Sequence, residues 1–186
     1  MRNPQHGLTL VELMVTVAVM AILMAVGIPS YRYITTSNRV SSEVNGLLLD
    51  LQFARSEALK QGRTVTVCPA TSTGTCAGNS NWQNGWMVFM DINGNGSMDD
   101  ANTEIVLKNQ SSFAASKDTF VSDNNVKFIT YNREGFAAGL PAPAAGYITI
   151  TLHDKTANKS WTRCVEVNTI GKVRVERAGD PNGNCS

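Results

Sequence analysis

The chain has 186 residues, 42% of them hydrophobic and 17% charged, with a formal net charge of +1. That size suits one domain, or one domain with an appendage. Arg2 is the one ionised side chain in the first seven residues, so from residue 8 onward 15 basic and 15 acidic side chains balance, which excludes function through bulk charge and leaves only local patches.

Residues 1–7, "MRNPQHG", form a short polar leader. The run over 8–28 is apolar and 21 residues long; at about 1.5 Å per residue it matches a hydrocarbon core of about 30 Å. Glu12 lies inside it, where an acid near a helix centre costs roughly 2.5–3.5 kcal/mol. "AVG" at 25–27 resembles a signal-peptidase site. The apolar run is long for a cleaved signal, Glu12 would harm such a segment, and helical patterning continues beyond the cut.

Over 38–61, Val40, Val44, Leu47, Leu48, Leu51, Ala54 and Ala58 recur at steps of three and four, one apolar stripe of a helix. Ser42, Glu43, Asp50, Arg55, Glu57 and Lys60 are assigned to the opposite, polar face. Gly62 is placed to end the helix, and Lys60 complements its dipole. The expectation is one helix from about residue 8 to about residue 61, roughly 80 Å long, kinked or loosened at Pro29.

Together these features resemble the class III leader of type IV pilins and pseudopilins: a polar leader ending in Gly7, then "LTLVE", a Glu five residues after the glycine, and a long apolar run. The family usually has Phe where this chain has Leu8. The resemblance implies cleavage between Gly7 and Leu8 by a prepilin peptidase and methylation of the new Leu8 amine. It also implies that the Glu12 carboxylate pairs with the α-amine of a neighbouring subunit. A charge without a partner in the membrane favours any state that supplies one, so Glu12 would drive docking into a growing filament.

Beyond Gly62 the pattern changes to period two. "TVTVC" (64–68), "GWMVFMD" (85–91), "EIVL" (104–107), "VKFITY" (126–131), "YITITL" (147–152), "SWTRCVEV" (160–167) and "KVRVER" (172–177) are expected strands. Gly, Asn, Pro and Ser clusters separate them. The segments 111–123 and 137–146 are expected loops. The fold class is α+β: a long N-terminal helix, transmembrane in its first half and amphipathic in its second, packed on a C-terminal antiparallel β-rich head. The expected divisions are a leader at 1–7, a transmembrane helix at 8–28, its amphipathic continuation at 29–61 and the head at 62–186.

Cys68, Cys76, Cys164 and Cys185 are an even set with no CxxC pair, and only two histidines accompany them. This favours disulfides in an oxidising compartment over zinc. Three connectivities are open. The preferred one joins Cys68 to Cys76 around a Gly/Thr/Ser-rich loop and Cys164 to Cys185 to hold the polar tail.

"LLLDLQFARSEALKQGRTVTVC" (47–68), "GWMVFMDINGNGSMDD" (85–100) and "IGKVRV" (170–175) make the head resemble the GspH/FimT family. The resemblance implies a minor pilin of a type IV pilus in a tip or priming complex, supporting assembly and twitching motility. Its partners would be other pilin subunits, the prepilin peptidase and an inner-membrane assembly platform. It would be single-pass in the inner membrane with a periplasmic head before entering the filament. The alternatives are a minor pseudopilin of a type II secretion system and a DNA-binding protein of natural transformation.

Two motifs carry competing readings. In "DINGNGSMDDAN", Asp91, Asn93, Asn95 and Asp99 are candidate calcium ligands of an EF-hand-like loop, but Asn102 stands where a bidentate Glu belongs; a β-hairpin turn built on Asn-Gly is preferred. In "GKVRVER", Lys172 and Arg174 share a strand face with Glu176, while Arg177 faces the other way and Arg163 lies on the preceding strand. These four basic residues are candidate DNA contacts, since DNA-binding members of the FimT branch carry Gly-Arg-x-Arg near the C-terminus. The competing reading is an edge strand that uses charge to prevent pairing. Trp82, Trp86 and Trp161 are assigned to packing. No Ser-His-Asp set, nucleotide loop or metal-spaced cluster appears, so no enzymatic activity and no cofactor other than calcium is expected.

Overall fold

One helix, α1 (Leu10–Gln61), carries both the apolar run and the amphipathic stripe. The computed structural model describes residues 9–100, 102–113, 118–138, 146–180 and 185. At Pro29 the helix continues, although proline has no N–H to donate to the carbonyl four residues earlier. It ends at Gly62, which takes φ +63°. The Arg63 N–H then reaches back to the Ala58 carbonyl at 3.3 Å, the bond that closes a Schellman cap.

The chain divides into two compact units, Met1–Asn38 and Arg39–Ser186. In the first, the described residues are helical from Leu10 onward, and none of them up to Asn38 is buried. In the second, α1 buries Val40, Val44, Leu47, Leu51, Ala54 and Ala58. Glu43 and Asp50 are buried too, at 7% and 1% exposure, which corrects their assignment to the polar face. The reason is that a single core cluster packs side chains from two sheets around this half of the helix, so the covered arc is wider than the apolar stripe.

The first sheet has the order β3-β2-β1-β5-β6, from β1 (Val65–Pro69), β2 (Gly85–Met90), β3 (Val106–Ser111), β5 (Ile129–Tyr131) and β6 (Ala137–Ala138). The second has the order β4-β7-β8-β9, from β4 (Thr119–Ser122), β7 (Tyr147–His153), β8 (Arg163–Asn168) and β9 (Val173–Arg177). Every strand pair is antiparallel. Ile148, Ile150 and Leu152 of β7 and Val165 and Val167 of β8 enter the core with Val65, Val67, Val88 and Ile129 of the first sheet. Trp82 and Trp86 are fully buried there.

Two strands lie inside expected loops. β4 falls in 111–123 and pairs with β7, and β6 falls in 137–146 and pairs with β5. Four and two residues are too few for a period to show in sequence, and the neighbouring strand supplies the pairing that defines them. β3 starts two residues later than expected because Glu104 is used otherwise: its Oε2 accepts the N–H of Asp99 at 2.9 Å and of Asp100 at 3.3 Å.

Candidate functional site

The start of α1 is built by Thr9 and Glu12. The Glu12 N–H donates to Thr9 Oγ1 at 3.2 Å and the Leu13 N–H to the Thr9 carbonyl at 3.2 Å. Thr9-x-x-Glu12 is the spacing of a capping box, and an acid in the first turn suits the positive end of the helix dipole. Sequence reasoning passed over Thr9, although the spacing was there to find. Around Glu12 the surface is apolar: Val11, Leu13, Met14, Val15 and Val19 are each at least half exposed. The mean hydropathy of this part of α1 reaches 2.5 over 18 residues, long and apolar enough to cross a membrane. Gly7 and Leu8, the expected processing pair, lie outside the described residues.

The structure joins Cys68 to Cys76 and Cys164 to Cys185. The first bond closes the loop after β1. The second ties the chain end to β8 on the face turned away from Val165 and Val167.

Loop 91–105 connects β2 to β3, and it is organised by hydrogen bonds. Asp91 is fully buried. Its Oδ1 accepts the N–H groups of Gly94 and Asn95 at 2.7 and 3.2 Å, and its Oδ2 accepts the Thr66 hydroxyl and the Gly96 N–H at 2.7 and 2.9 Å. The Asn95 amide donates to Asp99 at 2.7 Å. Of the candidate calcium ligands Asp91, Asn93, Asn95 and Asp99, Asp91 thus has both oxygens accepting protein donors. Among the described residues no three His, Cys, Asp or Glu side chains converge to hold a metal. The turn reading is also modified, since this is a long loop with Gly94 and Gly96 both at positive φ rather than a tight hairpin. At Gly96 a Cβ would lie 2.5 Å from the Phe128 ring, so the close approach as well as the dihedral requires glycine.

The four basic candidates for DNA do not form one patch. Arg174 Nε donates to Glu166 Oε2 at 2.7 Å, and its terminal nitrogen lies 2.6 Å from Glu166 and 2.9 Å from Glu176. The two carboxylates hold the Arg174 guanidinium more firmly protonated than usual, mainly through the Glu166 hydrogen bond. Arg163 is 9% exposed and donates to the carbonyls of Ser160 and Thr162. Of the four, Lys172 and Arg177 are exposed with no carboxylate within salt-bridge distance among the described residues. Arg163 and Arg174 thus each commit donors to the protein.

Three helix side chains that the sequence left on the polar face, or did not single out, hold the head together, and a fourth, Glu43, is buried among them. Asp50 accepts Trp86 Nε1 at 2.8 Å and the Lys108 ammonium, linking α1 to β2 and β3. Arg55 donates to the carbonyls of Gly135 at 2.9 Å and Ile170 at 3.1 Å. It thereby clamps two turns against each other where a Cβ on Gly171 would lie 2.1 Å from the Gly135 oxygen. Arg39 forms two bonds with Asp118, at 2.7 and 2.9 Å. Burial, reinforced by the negative Asp118, pushes the Glu43 carboxyl up to about 7, and Arg39 only partly opposes this.

Comparison with known proteins gives a consistent result. Residues 43–171 match the family described as Type II transport protein GspH, and residues 2–28 match the prokaryotic N-terminal methylation motif. The type IV major alpha-pilin of Moraxella bovis is 38% identical over 72 residues, which is 38% of this chain and 44% of that protein; the match thus spans less than half the length of this curated relative. The crystal structure of the type IV minor pilin FimU of Pseudomonas aeruginosa superposes with a TM-score of 0.60 at 20% identity, covering 82% of this chain and 99% of that one. The minor pseudopilin EpsH of the Type 2 Secretion System of Vibrio cholerae does so at 0.50 and 11%, covering 76% and 98%.

A long N-terminal helix with an apolar start, packed farther along on antiparallel sheets, places the fold in the pilin class. The chain belongs to the GspH family, a structural family of pilins and pseudopilins.

Proposed function

We propose that the chain is a minor pilin of a type IV pilus. It is inserted by its apolar helix with the head on the periplasmic side, cleaved after Gly7, methylated at Leu8 and built into the filament among other pilin subunits. The observation that carries this reading is Glu12. It is one acid in the first turn of a helix whose surrounding apolar side chains are covered by nothing in their own unit. In lipid the exposed apolar surface is at home, and the charge gains from a neighbouring helix that brings a cation. The methylation motif over residues 2–28 and the similarity to a type IV pilin support the same reading. The prepilin peptidase and an assembly platform are the partners that it requires.

The test is incorporation. Glu12→Ala is expected to insert into the membrane at the wild-type level and to be depleted from sheared pilus fractions. Incorporation at the wild-type level would overturn the assembly role. Chromosomal deletion separates the pilus from a secretion system: the pilus reading expects lost piliation with extracellular enzyme release intact.

A further inference from the structure

A groove of about 490 Å³ opens between the Cys68–Cys76 loop and the end of β3, within the usual size of small-molecule clefts. Its lining separates into a fixed wall and a free one. On the fixed side, the disulfide closes the loop, and the Thr71 hydroxyl meets those of Thr73 and Thr75 at 2.8 and 2.9 Å. The Asn79 carbonyl oxygen of the side chain accepts the Asn81 N–H at 2.9 Å. On the other side, Gly85 brings its backbone so close to β3 that a Cβ would lie 2.3 Å from the Gln110 carbonyl. The groove therefore has rigid edges before any ligand arrives, which lowers the ordering cost of binding.

Ser72, Asn84, Asn109, Ser111 and Ser112 line the groove, and none of their side chains is committed to a hydrogen bond among the described residues. This contrasts with loop 91–105, whose Asp and Asn side chains are spent on one another and on the backbone. Each free amide offers both donors and an acceptor, and each hydroxyl offers one donor and two lone pairs. Among the described residues every lining side chain is neutral. Phosphate-bearing and strongly charged ligands would find no counter-charge there. Ala70 and Ala77 supply the only apolar lining. They are too short to form the side-chain pockets that give a strand-adding peptide its specificity.

We propose that this groove binds a short neutral oligosaccharide, with Asn84 and Asn109 as its hydrogen-bonding residues. A sugar presents alternating hydroxyl donors and acceptors and small C–H faces, which match the amides, hydroxyls and alanine methyls in turn. No aromatic platform lines the groove among the described residues, so the affinity is modest, with Kd on the order of 1 mM. The proposal stands on the head alone and is independent of which filament the chain enters.

Saturation-transfer NMR on the full-length protein in detergent micelles tests it, with chitotetraose and maltotetraose as probes and an uncharged Gly/Asn peptide as comparison. Wild type is expected to transfer saturation to at least one sugar. Asn84→Ala with Asn109→Ala is expected to weaken binding about tenfold or more, with the melting temperature unchanged. Ser111→Trp, which fills the groove, is expected to abolish it. Absence of transfer to both sugars, equal binding by the double variant, or binding of the peptide alone would each overturn the proposal.

Discussion

Glu43 shows what burial does to one side chain. Its Oε2 has no hydrogen-bond partner among the described residues, and its carboxyl is pushed up to about 7 from an ordinary value of 4.5. The folded state therefore holds a proton that the unfolded state releases between pH 4.5 and 7, so stability falls as pH rises through that window. Glu43→Gln is expected to remove this slope and to gain on the order of 3 kcal/mol over wild type at pH 8, with little difference at pH 4.5. Chemical denaturation of the full-length protein at the two pH values measures it, and parallel curves would show that Glu43 does not titrate this way. Arg174 has a structural role that its motif does not suggest. It neutralises Glu166 and Glu176, which are 2% and 8% exposed as side chains. Arg174→Ala is expected to cost about 2 kcal/mol of stability by leaving the buried Glu166 without its cation. Retention of duplex DNA in a low-salt gel shift should be unaffected. A loss of DNA binding with unchanged stability would restore the nucleic-acid reading.

At the scale of elements, α1 was legible from sequence to within two residues at each end, because apolar spacing, Lys60 and Gly62 all mark the same boundaries. The strands were legible where alternation ran for five or more residues, as in β1, β2, β7 and β9. β4 and β6 were not, since their existence depends on the partner strand. The two disulfides are elements of unequal reach, closing separations of 8 and 21 residues. In the chain-entropy picture the longer one stabilises by about 0.9 kcal/mol more. Thermal melts of Cys68→Ala/Cys76→Ala and Cys164→Ala/Cys185→Ala are expected to rank in that order, the second pair being the less stable. The reverse order would mean that the Cys68–Cys76 loop stabilises through its packing against Met87 and Phe89 rather than through closure.

At the scale of the whole molecule, the proposed function assigns membrane insertion and processing to the first unit, and the second is the β-rich head. Gly7→Glu is expected to block cleavage and leave the full-length chain in the membrane. N-terminal sequencing of the wild-type mature chain should begin at Leu8. A mature start at Ile28 would instead reveal an ordinary signal peptide. Glu12 belongs to this scale as well as to its own, because in the proposed assembly the partner that compensates it comes from another chain.

The sequence by itself determined the helix, the α+β class and the family. Those depend on local periods, on a leader spacing and on propensities that act within a few residues. It also singled out Glu12, because a charge within an apolar run is visible without a fold. Only the tertiary structure decided that Glu43 and Asp50 face inward, since that depends on how far two sheets wrap around one helix. It also decided that Asp91 organises a loop, and that Arg174 is neutralised. In each case the residue type was readable, but its role was set by partners 25 residues away for Thr66 and Asp91, 8 for Glu166 and Arg174 and 58 for Asp50 and Lys108. No local pattern encodes which donors and acceptors those distances bring together.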